Sequence, residues 1–185
     1  MVIFLGLLVM LVVAMWSYKY AWWKSAVDWK RPRVLMYHMV REHIKGAKFN
    51  KLRVTPAEFE KQVAWMKADG FHFVTMQELQ ANWGKHPEKT VAITFDDGYL
   101  DNLEHAFPIL EKYQAKATIY VVVDRHDRDW STYKKAHHNS GELAREPKLS
   151  DVQVQQLAHS GLVEIASHTL THANLDKLDD TQCFM

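Results

Sequence analysis

Asp96 and Asp97 close the apolar run Val91-Ala92-Ile93 in the stretch TFDDGY, residues 94–99. Two like charges side by side at the mouth of a buried strand cannot both ionise cheaply unless something positive meets them. A divalent cation answers that need, and the donors to hold it stand in SHTLTH, residues 167–172, where His168 and His172 are four apart. On a helical or turn-like segment this spacing puts both imidazoles on one side. Two histidines with one carboxylate form an open metal site that keeps positions for water and substrate. A metal there lowers the pKa of its bound water toward about 7, and the second carboxylate can accept the proton. The two aspartates thus take different jobs, one as ligand and one as base. Alone, Asp-Asp-Gly reads as a turn and His-x-x-x-His as a pair of surface residues; their joint occurrence at strand ends turns the balance. His38, at the end of VLMYH, reads by itself as a structural or core histidine.

The elements that must position these residues follow from the pattern after Val34. Short β-prone or apolar runs lie at 34–38, 71–76, 90–95, 117–123 and 161–168. Between them, Thr55-Pro56-Ala57-Glu58 predicts a capping box with proline at the first helical position, followed by Phe59, Val63 and Met66 at helical spacing and a stop at Gly70. A brief helix is expected over 77–83, one capped by Asp101 and distorted at Pro108 over 101–113, and one from Ser150 to Ser160 with Gln153 completing a second capping box. Residues 124–149 read as a long polar loop. Alternating strands and helices imply an α/β fold with a parallel sheet. In such folds chemistry gathers at the carboxyl ends of the strands, where His38, Asp96, Asp97 and His168 all fall.

The chain of 185 residues is long enough for one core. Its net charge of +1, with both signs interspersed, gives no basic face for nucleic acid. Its single cysteine, Cys183, excludes an internal disulfide framework and a thiolate zinc cluster. Residues 1–16 carry no charge, and Trp16, Tyr18, Tyr20, Trp22 and Trp23 follow, interleaved with Lys19 and Lys24. This pattern predicts a transmembrane or signal-anchor helix over 1–23, its aromatic residues at headgroup level and its lysines snorkelling. A linker over 24–32 and a domain over 33–185 complete the expected organisation. A cleaved signal peptide fits less well, because no basic segment precedes the run and bulky residues follow it. Taken literally, the positive charges after the helix would leave the domain in the cytoplasm.

TFDDGY and SHTLTH resemble the first two motifs of the polysaccharide deacetylase family, the NodB-like carbohydrate esterases, over about residues 33–180. The resemblance implies a distorted (β/α) barrel, removal of acetyl groups from N-acetylglucosamine units, and a metal ion. It also implies roles: Asp96 as base, and Asp97, His168 and His172 as metal ligands. Zinc suits the donor set; nickel, cobalt or iron would fit too. VLMYHMV is similar to the branch that deacetylates poly-N-acetylglucosamine in biofilms, which implies that His38 protonates the departing amine. That substrate lies outside the cytoplasm, so the resemblance implies an extracytoplasmic domain in the cell envelope on a single-pass anchor.

The sequence also departs from the family. It ends at TQCFM before a third motif and the strands that close the barrel, so an incomplete barrel is expected. The missing part would supply an oxyanion donor, worth on the order of a hundredfold to a thousandfold in rate. Two other functions are therefore weighed: a non-catalytic carbohydrate-binding remnant, and a deacetylase of a lipid-linked amino sugar on the cytoplasmic face. Nothing in the sequence decides oligomeric state.

Overall fold

The computed structural model describes residues 2–25, 27–126 and 141–183. In chain order the strands are β1 (Arg33–Tyr37), β2 (Met39–Val40), β3 (Arg53–Val54), β4 (His72–Val74), β5 (Thr90–Asp97), β6 (Ala117–Val121) and β7 (Val163–Ser167). The helices are α1 (Val2–Tyr20), α2 (Pro56–Ala68), α3 (Met76–Ala81), α4 (Phe107–Tyr113), α5 (Glu142–Arg145), α6 (Asp151–Ala158) and α7 (Asp180–Cys183).

β5 is the centre of a five-stranded parallel sheet, and its sequence says why. TVAITFDD is buried at every residue but Asp96, the signature of a strand covered on both faces. β1 pairs along one side of it, from Arg33↔Val91 to Tyr37↔Phe95. The other side is shared: β4 takes residues 90–92 and β6 takes 93–97. β7 pairs with β6. Among the described residues β1 and β7 do not pair with each other, so the sheet is open. β2 and β3 form a separate two-residue ladder that the sequence pattern does not signal.

Alternation along the strands sorts the two faces. Val91, Ile93 and Phe95 of β5 and Ala117, Ile119 and Val121 of β6 meet Phe59, Val63 and Met66 of α2, Ile109 and Leu110 of α4, and Leu157 of α6 in one core. Thr94, Thr118 and Glu164 belong to the opposite, polar face, where Thr118 Oγ1 donates to Glu164 at 2.8 Å and accepts from the Met76 amide at 2.9 Å. That second bond fixes the start of α3, which begins one residue earlier than expected because Thr75 and Glu78 form a capping box.

Several expectations are corrected. α1 forms, but among the described residues no helix is long and apolar enough to cross a membrane. α1 spans Val2–Tyr20 and ends in Ser-Tyr-Lys-Tyr. Asp101 makes no capping hydrogen bond. The helix it precedes opens with a π-helical turn, Asn102–Ala106, before α4, where Pro108 has no N–H to give to the preceding turn. Of the expected loop over 124–149, residues 127–140 lie outside the described residues. The remainder holds α5 and a stretch that hydrogen-bonds to the loop after β5.

Candidate metal centre

The carboxyl end of β6 organises the site. Leaving β5, the chain enters left-handed backbone at Asp97 (φ 78°) and Gly98 (φ 71°). A Cβ on Gly98 would stand 3.2 Å from Val121 Cγ1, so both the conformation and the space call for glycine. On the other flank of β6, the Val121 carbonyl accepts from the His168 amide at 2.9 Å. The Val123 and Asp124 amides donate to the carbonyls of Thr169 and Leu170 at 3.2 and 2.8 Å. The turn this pins is tight: Thr169 (φ 66°) and His172 (φ 57°) are both left-handed. Thr169 Oγ1 accepts from the Ala173 amide at 3.1 Å. The turn brings the two imidazoles to a centroid separation of 5.1 Å.

Asp97, His168 and His172 converge so that one donor atom from each lies within 4.8 Å of the others. Asp97 Oδ1 is 3.4 Å from His168 Nε2 and 3.3 Å from His172 Nε2. It is buried and accepts no hydrogen bond. These separations are long for charge-assisted hydrogen bonds, which close to about 2.7–2.9 Å. They match two donors on one tetrahedral ion: with bonds of about 2.0–2.2 Å, neighbouring ligand atoms sit roughly 3.3–3.5 Å apart. A buried carboxylate oxygen without a hydrogen-bond partner, nearly equidistant from two imidazole nitrogens, therefore fits a divalent metal.

Asp96 is half-buried beside it. Burial pushes its carboxyl above the usual range, against the downward pull of His38 and His168. His38 follows β1 and is half-buried, with its carbonyl accepting from Asn102 Nδ2 at 2.9 Å. All five sequence-selected residues thus gather at the carboxyl ends of β1, β5 and β7. Asp97, His168 and His172 form the donor set, and His38 lies close enough to Asp96 for its charge to be felt.

Sequence reasoning missed the surroundings of Asp97. Tyr99 is buried, and burial followed by the Asp97 charge raises its hydroxyl pKa. Residues 147–149 run back along the loop: the Leu100 amide donates to the Pro147 carbonyl, and the Leu149 amide to the Gly98 carbonyl, each at 2.9 Å. Lys148 lies over the Tyr99 ring at 4.6 Å, and burial lowers its ammonium to about 8. Arg53, buried in β3, holds this stretch from the far side through Glu146 at 2.5 Å and Glu142 at 3.0 Å, and Arg41 pairs with Glu146 as well. Asp101 Oδ1 accepts from the Val40 amide and Asn102 Nδ2, each at 3.2 Å. Its burial raises the carboxyl to about 6. No local sequence signal marks these residues, because most of their partners are distant along the chain.

The sheet brings Asp97, His168 and His172 together at its carboxyl edge in a set that could hold a metal ion, and the polysaccharide deacetylase profile matches residues 84–183, which include all three. The chain belongs to the polysaccharide deacetylase family. It is 35% identical over 165 residues to the Bacillus subtilis protein YxkH, covering 88% of this chain and 50% of that one. It is 30% identical to the poly-beta-1,6-N-acetyl-D-glucosamine N-deacetylase of Staphylococcus epidermidis, covering 73% and 47%. The fold superposes on a polysaccharide deacetylase from Bacillus cereus with a TM-score of 0.63 at 30% identity, covering 80% of this chain and 42% of that one. For IcaB from Ammonifex degensii the TM-score is 0.62 at 27% identity, covering 84% and 57%. The chain spans about half the length of the curated relatives it matches.

Proposed function

We propose that this chain carries the metal half-site and base of an N-deacetylase acting on N-acetylglucosamine-containing polysaccharide, on a sheet that is an arc of a (β/α) barrel. The observation that carries the reading is the buried, hydrogen-bond-free Asp97 Oδ1 between two imidazole nitrogens, with the separate carboxyl of Asp96 beside it. The names of the family and of the Staphylococcus relative point to the substrate class. A divalent ion held by Asp97, His168 and His172, zinc in the first instance, would supply Lewis acidity toward the acetamide carbonyl and the attacking water. Asp96 takes the proton of that water as general base; its half-burial raises the carboxyl above the usual range. His38, across from Asp96, gives a proton to the departing sugar amine. The step balances: one water is consumed, the acetamide C–N bond breaks, and one acetate and one free amine are released.

The open sheet favours a second reading, a binding remnant that holds metal and sugar without turnover. Acetate release from short N-acetylglucosamine oligomers by the full chain, with zinc, cobalt or nickel added, separates the two. Release abolished by Asp96→Asn supports the deacetylase; none from folded, metal-loaded chain leaves the remnant.

For location, the reading is an extracytoplasmic domain held at the lipid surface by α1, whose described apolar side chains are exposed around its circumference. Flotation with vesicles and protease accessibility from outside the cell test it. A domain mapped to the cytoplasmic face would instead favour a lipid-linked amino sugar as substrate.

A further inference from the structure

Tryptophan is usually well buried, yet all six described tryptophans are exposed, from 41% at Trp29 to 73% at Trp83. None stands near the metal centre. Trp16, Trp22 and Trp23 belong to α1 and the turn after it. The other three collect where the parallel strands begin. Trp29 precedes β1, and its carbonyl accepts from the Lys89 amide, just before β5, at 3.0 Å. The rings of Trp29 and Trp65 both rest on Phe71, just before β4, at 5.2 and 5.5 Å. Trp83 leaves α3 at the same end, and with Lys30, Arg31 and His86 it lines a cleft of about 210 Å³.

The charges there lean positive: Lys30, Arg31, Lys67 and Lys85 are exposed, against Asp28, Glu88 and Glu111, while Asp69 is paired with Lys89 at 2.8 Å. Exposed tryptophans interleaved with basic side chains, continuous with an apolar helix, have the composition of a headgroup-level belt. β5 rises about 23 Å from this end to the metal centre.

We infer that the strand-start end of the domain is a lipid-contacting face that seats on an anionic bilayer through Trp29, Trp83, Lys30, Arg31 and Lys85 and points the metal centre away from the membrane. This rests on the lipid contact of α1 proposed above and extends it to the folded domain. It is independent of whether the chain turns over substrate.

The test is amide hydrogen exchange of the full chain on vesicles of phosphatidylglycerol and phosphatidylcholine, compared with phosphatidylcholine alone. Slowed exchange is expected over residues 29–32 and 82–89 on the anionic vesicles, with no change at 96–101 or 168–172. The double variant Lys30→Glu/Lys85→Glu should partition at least about tenfold more weakly onto anionic vesicles and unchanged onto phosphatidylcholine, which α1 carries. Protection confined to 2–23, or a variant that partitions like its parent, would overturn the inference. So would slowed exchange at 82–89 on adding N-acetylglucosamine oligomers but not vesicles, which would make the tryptophans a sugar platform. No protection even in α1 would overturn the lipid reading of the helix as well.

Discussion

Replacing Asp101 with asparagine should make the protein more stable at neutral pH, and only there. The carboxyl is buried beneath the Val40 amide, and burial raises it from the ordinary 3.8 to about 6, with Arg41 and His105 pulling the other way. The unfolded chain releases this proton near pH 4, whereas the native chain holds it until about pH 6. Stability from this group is therefore full below about pH 4 and falls as pH rises through that window. A shift of about two units corresponds to roughly 3 kcal/mol at pH 7 and above. Asparagine keeps an oxygen for both bonds that Oδ1 accepts and never ionises, so it escapes the loss. Urea unfolding of the full chain and of Asp101→Asn in the same detergent, with chelator present and pH stepped from 4 to 8, measures the difference. The gap should widen by about 3 kcal/mol between those limits. A gap that stays constant, or one that narrows as pH rises, refutes the reasoning.

Asp97→Ala, His168→Ala and His172→Ala should each weaken zinc binding by more than about a hundredfold in calorimetry, beyond the loss from removing a residue that merely supports a ligand. Asp96→Asn should bind zinc within about tenfold of the parent while losing acetate release by about a hundredfold to ten-thousandfold. His38→Ala should slow acetate release without reducing zinc content measured by atomic absorption; a metal-poor variant would make His38 a ligand. Gly98→Ala should cost about 1–3 kcal/mol in urea unfolding, from left-handed backbone and the Val121 contact together. Val121→Ala in the same chain should recover the steric part.

The five main strands and the donor residues were legible because their signals are local. TVAITF announces a strand buried on both faces, Ser150 with Gln153 announces a helix start, and both histidine spacing and paired aspartates announce a site. What surrounds Asp97 was not legible. Residues 147–149 look like loop by composition, yet their amide and carbonyl groups are satisfied by Gly98 and Leu100, far earlier in the chain. Nothing in the sequence singles out Arg53, yet it is buried and pairs with Glu142 and Glu146. Asp101 has the chemistry of a cap and the right place for one, but the Val40 amide competes for its oxygen and wins. At α1 the composition argued for a spanning helix, while among the described residues no helix is long and apolar enough to cross a membrane.

The position of β6 between β5 and β7 bears on how the protein comes together. Asp97 arrives with β5, but both imidazoles ride on the chain beyond β7, which can reach them only after β6 has docked and supplied the Val121 carbonyl. Contacts this far apart along the chain form slowly, which predicts that the three donors meet late in folding. A molecule whose outer strand has peeled away keeps a lone buried carboxylate and no grip on an ion. Bound metal would then count the molecules with β7 seated, which makes stopped-flow zinc uptake a clock for the last step of sheet assembly.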